Sequence, residues 1–177
     1  GSMGDFSKLD LDRELNMIEL NISALVGITH RYLQGMRARR NGVIINLSSA
    51  ASFQAIPYFA TYAATKAFVT SFSQAIAEEN RTYGIKILAL CPGATDTDFF
   101  TNAGIDEPMM VKGTQTTEEV VETALNAIKK GRPLVVSGFS NYIGSILGTV
   151  VPDRIISRVI GKALREKYGS DDTGATS

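Results

Sequence analysis

The chain has 177 residues, 44% of them hydrophobic, and its 18 basic and 18 acidic side chains cancel to zero formal charge. That is enough chain for one core and fits one domain better than two, and the charge balance removes long-range attraction to nucleic acid or to an anionic membrane, leaving a small neutral or mixed-charge molecule as the better partner. The one cysteine, Cys91, excludes an intramolecular disulfide and fits a reducing, cytoplasmic setting.

Residues 1–3, GSM, read as a cloning scar and start methionine, 4–168 as the domain, and 169–177 as a disordered tail. Leu11, Leu15, Ile18, Ile22, Leu25 and Val26 recur at helical spacing with Asp12, Arg13, Glu14 and Glu19 opposite, which predicts a half-buried helix running to about Arg39. GVIINL then reads as a short strand buried on both faces, as in a parallel sheet covered by helices. A second helix is expected from Tyr58 or Ala60 to Tyr83, stopped by Gly84. IKILALC follows as a strand, ended by Pro92 and Gly93. Beyond a polar loop comes a helix from Thr117 to Lys130, with glutamates first and lysines last as the helix dipole prefers, and then PLVVSG as a third strand. YIGSILGTVVP is the longest apolar stretch, too short for a bilayer and broken by Gly, Ser and Thr, and no signal peptide is read at the opening. PDRIISRVIGKALREKYG is an amphipathic helix with a basic outer face. Strands separated by helices of these lengths predict right-handed parallel crossovers and an α/β fold.

Chemistry concentrates in GVIINLSSAASFQAIPYFATYAATK. Tyr62 and Lys66 lie four positions apart on one helix, so their side chains leave the same face. An ammonium beside a phenol in a dry cleft favours phenolate, and a shift of roughly three units toward neutral pH corresponds to about 4 kcal/mol. Alone, the pair reads as an ordinary helix surface pair. Ser48 and Ser49 end a parallel strand, where open α/β sheets place ligands, and they point in different directions if the strand persists. His30 is the single histidine, so neither a Ser/His/Asp triad nor a multi-histidine metal site is available.

GVIINLSSAA, YAATKAF and CPGATDT, in this order and at these separations, resemble the strand-serine, tyrosine-lysine and proline-glycine motifs of the short-chain dehydrogenases/reductases. The resemblance runs from about Gly4 to Lys130. It implies the carboxyl-terminal part of a Rossmann-like doubly wound parallel sheet, about three strands with flanking helices, and an NAD- or NADP-dependent interconversion of a hydrophobic alcohol and its carbonyl. The family's serine lies thirteen positions before its tyrosine, which selects Ser49 to orient the carbonyl. By the same resemblance Tyr62 donates or accepts the proton, Lys66 depresses its pKa and bonds the nicotinamide ribose, and Asn21 holds a proton-relay water. Pro92, Gly93, Thr95 and Thr97 match positions beside the nicotinamide and phosphates. DFFTNAGIDEPMMVKG corresponds to a mobile substrate loop, with Phe99, Phe100, Met109 and Met110 as its apolar inner surface. A homodimer or homotetramer is implied as well.

The family's first half, with its glycine-rich pyrophosphate turn, has no counterpart in this sequence. The chain therefore reads as the carboxyl-terminal two-thirds of such an enzyme, with an exposed apolar sheet edge at GVIINL and poor activity by itself. The alternative reading is a truncated, non-catalytic dimerisation or interaction module built on the helices around 11–39 and 58–83.

Overall fold

A computed structural model describes residues 2–97 and 114–168. Its elements are α1 (Leu11–Ile18), a wide π-type turn (Glu19–Ala24), α2 (Leu25–Arg39), β1 (Gly42–Leu47), a 3₁₀ turn (Ala50–Phe53), α3 (Ala60–Asn80), β2 (Ile85–Cys91), α4 (Thr117–Lys129), β3 (Leu134–Val136), α5 (Phe139–Val150) and α6 (Asp153–Tyr168). The strands form one parallel sheet in the order β1-β2-β3, with Gly42 opposite Ile85 and Ala89 opposite Leu134. The α/β class expected from the alternation of strands and helices is the one observed.

Local chemistry sets the boundaries. Asp10 caps α1 by accepting from the Arg13 amide at 3.0 Å. Thr116 and Glu119 form a reciprocal capping box at the start of α4. Gly84 takes a left-handed turn, φ +71°, where an added Cβ would come 2.9 Å from the Arg40 carbonyl oxygen.

Helices cover β2 from both sides. Ile85 and Ile87 meet Ile76 of α3, with Met36 and Leu33 of α2 packed alongside. Leu88 and Leu90 meet Val120, Ala124 and Ala127 of α4 on the opposite face. β1 is covered on one face only: Ile44 faces the α2/α3 side, whereas Val43, Ile45 and Leu47 are 47%, 45% and 55% exposed. A groove of about 440 Å³ runs beside this strand, lined by Leu25, Ile28 and Tyr32 of α2 together with Val43 and Ile45.

Two expectations need correction. The helix over 11–39 is interrupted by the wide turn at Glu19–Ala24, and the first half of its apolar stripe faces outward: Leu11, Leu15 and Ile18 are exposed while Glu14 and Met17 are buried, whereas Ile22, Leu25 and Val26 are half-buried as expected. In α1 the inward residues are Glu14 and Met17, and the Glu14 carboxylate accepts there from the Ser2 hydroxyl, while Asp12, Arg13 and Glu19 are exposed. β1 is not buried on both faces. The apolar run at 142–152 mostly belongs to α5, whose Phe139, Ile146, Leu147 and Val150 point outward while Ser145 and Gly148 face the protein. Close approach explains this orientation, since a Cβ on Gly148 would lie 2.6 Å from the Phe53 carbonyl oxygen.

Candidate active site

β1 carries its last residues to the carboxyl end of the sheet, and alternation separates the two serines that follow. Ser48 turns inward, is 2% exposed and donates its hydroxyl to the Lys66 carbonyl at 2.8 Å. Ser49 continues in extended conformation and accepts from the Ala51 amide at 3.1 Å, and its side chain lies close enough to the Tyr62 phenol to pull the phenol's pKa downward. Of the two serines, Ser49 is the one that meets the tyrosine.

Tyr62 occupies the first turn of α3, half-buried beneath Phe59, with ring centroids 4.4 Å apart. Lys66 lies one turn further on. Its Nζ is 5.7 Å from the centre of the Tyr62 ring and donates to the Leu47 carbonyl at 2.9 Å. The expected drop in the Tyr62 pKa is absent from this arrangement. Burial pushes the phenol pKa up, only partly offset by the Ser49 hydrogen bond, and burial pushes Lys66 down. Removing water from a phenolate outweighs an ammonium that is committed to a backbone carbonyl.

Asn21 sits in the wide turn and donates to Thr65 Oγ1 at 3.0 Å, and Thr65 in turn donates to the Tyr62 carbonyl at 2.8 Å. This ties the π-type turn to α3 between Tyr62 and Lys66. Asparagine is a mediocre helix former, and π-type turns occur often at functional sites, so residue and geometry agree.

After β2, the Pro92 carbonyl accepts from the Ala50 amide at 2.8 Å, which places the proline-glycine turn beside Ser49. Gly93 lies against Asn141, and a side chain on Gly93 would collide with it. Thr95 and Thr97 turn back on their own loop, donating to the Gly93 and Thr95 carbonyls at 3.2 and 3.4 Å. Asn21, Ser49, Tyr62 and Lys66 therefore come together, Pro92 and Gly93 adjoin them, and the two threonine hydroxyls are engaged locally. Phe99, Phe100, Met109 and Met110 lie outside the described residues.

His30 is exposed on α2, 3.4 Å from the Gln34 amide. Among the described residues no group of three or more His, Cys, Asp or Glu is placed to hold a metal ion, and no helix is long and apolar enough to cross a membrane. Sequence reasoning missed Phe59, whose stacking depends on the turn before α3. It also missed a set of buried polar residues on α3 and β1, signalled only by asparagine and serine at alternate positions of an apolar strand.

A parallel sheet with helices on both faces, and polar groups gathered at the carboxyl ends of neighbouring strands, defines a doubly wound α/β protein of Rossmann type. The family model for short chain dehydrogenases matches residues 1–108. The chain belongs to the short-chain dehydrogenase family. It is 35% identical over 153 residues to 17-beta-hydroxysteroid dehydrogenase type 3 of Mus musculus, covering 86% of this chain and 47% of the relative. To the very-long-chain 3-oxoacyl-CoA reductase of the same species it is 32% identical over 165 residues, 90% of this chain and 50% of the relative. Among solved structures it is similar to a short-chain dehydrogenase from Sphingobium yanoikuyae in complex with NADPH, with TM-score 0.71, 22% identity, and coverage of 99% of this chain and 64% of that one. The chain thus spans about half the length of these curated relatives.

Proposed function

We propose that this chain carries the proton-transfer half of an NAD- or NADP-dependent oxidoreductase that interconverts a hydrophobic alcohol and its carbonyl. The observation that carries the reading is that the Tyr62 phenol lies against the Ser49 side chain, which acts to lower its pKa, with the Lys66 ammonium 5.7 Å from the centre of the phenol ring. Related proteins named as a steroid dehydrogenase and a 3-oxoacyl-CoA reductase, and a structural neighbour holding NADPH, support the hydride chemistry and the apolar substrate.

The residues present fit the nicotinamide end of such a cofactor. Pro92 and Gly93 form a turn at the carboxyl end of β2 beside Ser49, and the Lys66 ammonium lies beside Tyr62, where it would bond the ribose. When bound, the nicotinamide supplies or accepts hydride. Ser49 holds the substrate oxygen by hydrogen bond and shares its developing charge. Tyr62 gives that oxygen its proton during reduction and takes it back during oxidation. Lys66 stabilises the phenolate left behind, and Asn21 steadies the turn of α3 that bears both groups. With the phenol pKa raised by burial, the protonated form is the resting one, and reduction begins from the correct state.

The test joins the chain to an amino-terminal cofactor-binding half and follows oxidation of NADH and NADPH with a hydrophobic ketone. Tyr62→Phe should remove turnover while circular dichroism stays unchanged; undiminished turnover would refute the role of Tyr62.

A second reading has its own support in the outward apolar faces of α1, α2 and β1, where Leu11, Leu15, Ile28, Tyr32 and Ile45 are exposed. These surfaces fit an interaction module or a homodimer or homotetramer interface. Fluorescence titration with NADH and NADPH separates the readings, because saturable binding belongs to the enzyme and its absence to the module.

A further inference from the structure

The buried face of α3 consists of Ala63, Thr65, Val69, Thr70, Ser73, Ile76 and Asn80, so four of its seven inward residues are polar. Each polar residue meets a different part of the fold. The Asn46 amide of β1 donates to the fully buried Ser73 hydroxyl at 2.9 Å. Thr70 Oγ1 lies 2.6 Å from Ser48 Oγ and 3.0 Å from Ser52 Oγ, and its single proton serves one of the two. Asn80 accepts from Arg37 at 2.6 Å, and Thr65 receives Asn21 as described above.

Apolar contacts are non-directional, and a helix whose inward face is mostly small can slide along a sheet at little cost in buried area. Buried hydroxyls and amides behave differently. A hydrogen bond fails within a few tenths of an ångström, whereas sliding by one residue moves a helix by about 1.5 Å. Each buried group then left without a partner costs roughly 1–3 kcal/mol.

Ser48 occupies the critical position. Its amide donates to the Leu90 carbonyl at 2.7 Å, fixing it to β2, while its hydroxyl reaches both the Lys66 carbonyl and Thr70. Ser49 is the next residue in the chain, and Lys66 lies one turn beyond Tyr62. One side chain therefore links the strand bearing Ser49 to the helix bearing Tyr62 and Lys66.

We infer that Asn46, Ser48, Thr70 and Ser73 are positioning residues, a buried polar ladder that sets the axial register of α3 against β1 and so brings Tyr62 within hydrogen-bond reach of Ser49. The functional consequence rests on the catalytic reading of Tyr62 above; the geometric claim does not. Thr70→Val keeps shape and removes the hydroxyl, Thr70→Ser keeps the hydroxyl, and Ser48→Ala removes the other partner. In the 177-residue chain, the Tyr62 phenol is titrated by NMR of tyrosine labelled with ¹³C at Cζ, its signal assigned by its loss in Tyr62→Phe.

Thr70→Val and Ser48→Ala are expected to change the titration midpoint of Tyr62, and Thr70→Ser to restore the original value. In the chain joined to a cofactor half, the same two variants should lower kcat at least about ten-fold with KM within about two-fold, because misplacement by about 1 Å is enough to cost that much. A purely structural ladder would lower Tm and leave the titration of Tyr62 unmoved, and that result in folded Thr70→Val or Ser48→Ala overturns the inference. If Thr70→Val does not fold, Ser48→Ala decides alone. If Tyr62→Phe leaves turnover intact, the catalytic reading fails, while the titration still decides the ladder.

Discussion

Tyr62 holds its proton more tightly in this fold than a tyrosine does in water, because burial disfavours the phenolate more than the Ser49 hydrogen bond favours it. The sign of the linked pH dependence follows. With the folded pKa above the unfolded value near 10, the contribution of Tyr62 to stability is complete below about pH 10 and is lost as pH rises through the folded value. Lys66 acts oppositely: its folded pKa is lowered, so the unfolded chain binds the extra proton and stability rises as pH climbs from the folded value toward the ordinary one. Tyr62→Phe should therefore flatten the alkaline loss of stability, read as urea midpoints on either side of about pH 10. Gly84 gives a second prediction at this scale. Its left-handed φ and the nearness of the Arg40 carbonyl both oppose a side chain, and Gly84→Ala should destabilise by about 1–2 kcal/mol in denaturant melts.

At the scale of elements, the helices differ in what orients them. α4 follows its amphipathic pattern, with Val120, Ala124 and Ala127 against Leu88 and Leu90, and its start is fixed by the Thr116/Glu119 capping box. Thr116→Ala should cost about 1 kcal/mol of stability, visible as a lowered Tm. α5 turns its apolar side outward because Gly148 allows the helix backbone to reach the Phe53 carbonyl. Gly148→Leu should push α5 away from the 3₁₀ turn at Ala50–Phe53, with faster amide exchange in α5 as the readout. The strand–helix order, the charge pattern along α4 and the glycine stop after α3 were legible in the sequence, since each depends on residues within a few positions of one another. The facing of α1 and α5 was not, because hydrophobic periodicity identifies two faces of a helix and leaves their direction to the neighbouring elements.

Across the whole molecule, the outer side of β1 has no strand beside it among the described residues, and Val43, Ile45 and Leu47 present an apolar surface there. An open strand edge next to an apolar groove of about 440 Å³ favours association. Light scattering should show the chain growing in mean size with concentration, and Ile45→Lys, which places a charge at the centre of that surface, should suppress the growth without altering helical content. Concentration-independent size in the unsubstituted chain would count against the edge as an association surface. The same edge lies next to the candidate site, since Lys66 donates to the carbonyl of Leu47, the last residue of β1. Whatever lies along β1 therefore bears directly on the lysine.

The sequence by itself determined the α/β alternation, the spacing of Tyr62 and Lys66 on one helical face, and the position of the serines at a strand end, because these are consequences of periodicity and short-range geometry. Only the tertiary structure decided that Ser48 grips the backbone of α3, that Lys66 reaches for Leu47, and that the phenol becomes a weaker acid rather than a stronger one. Those outcomes depend on distances between segments far apart in the chain and on the exclusion of water from the space between them, and neither quantity is a property of any local stretch of residues.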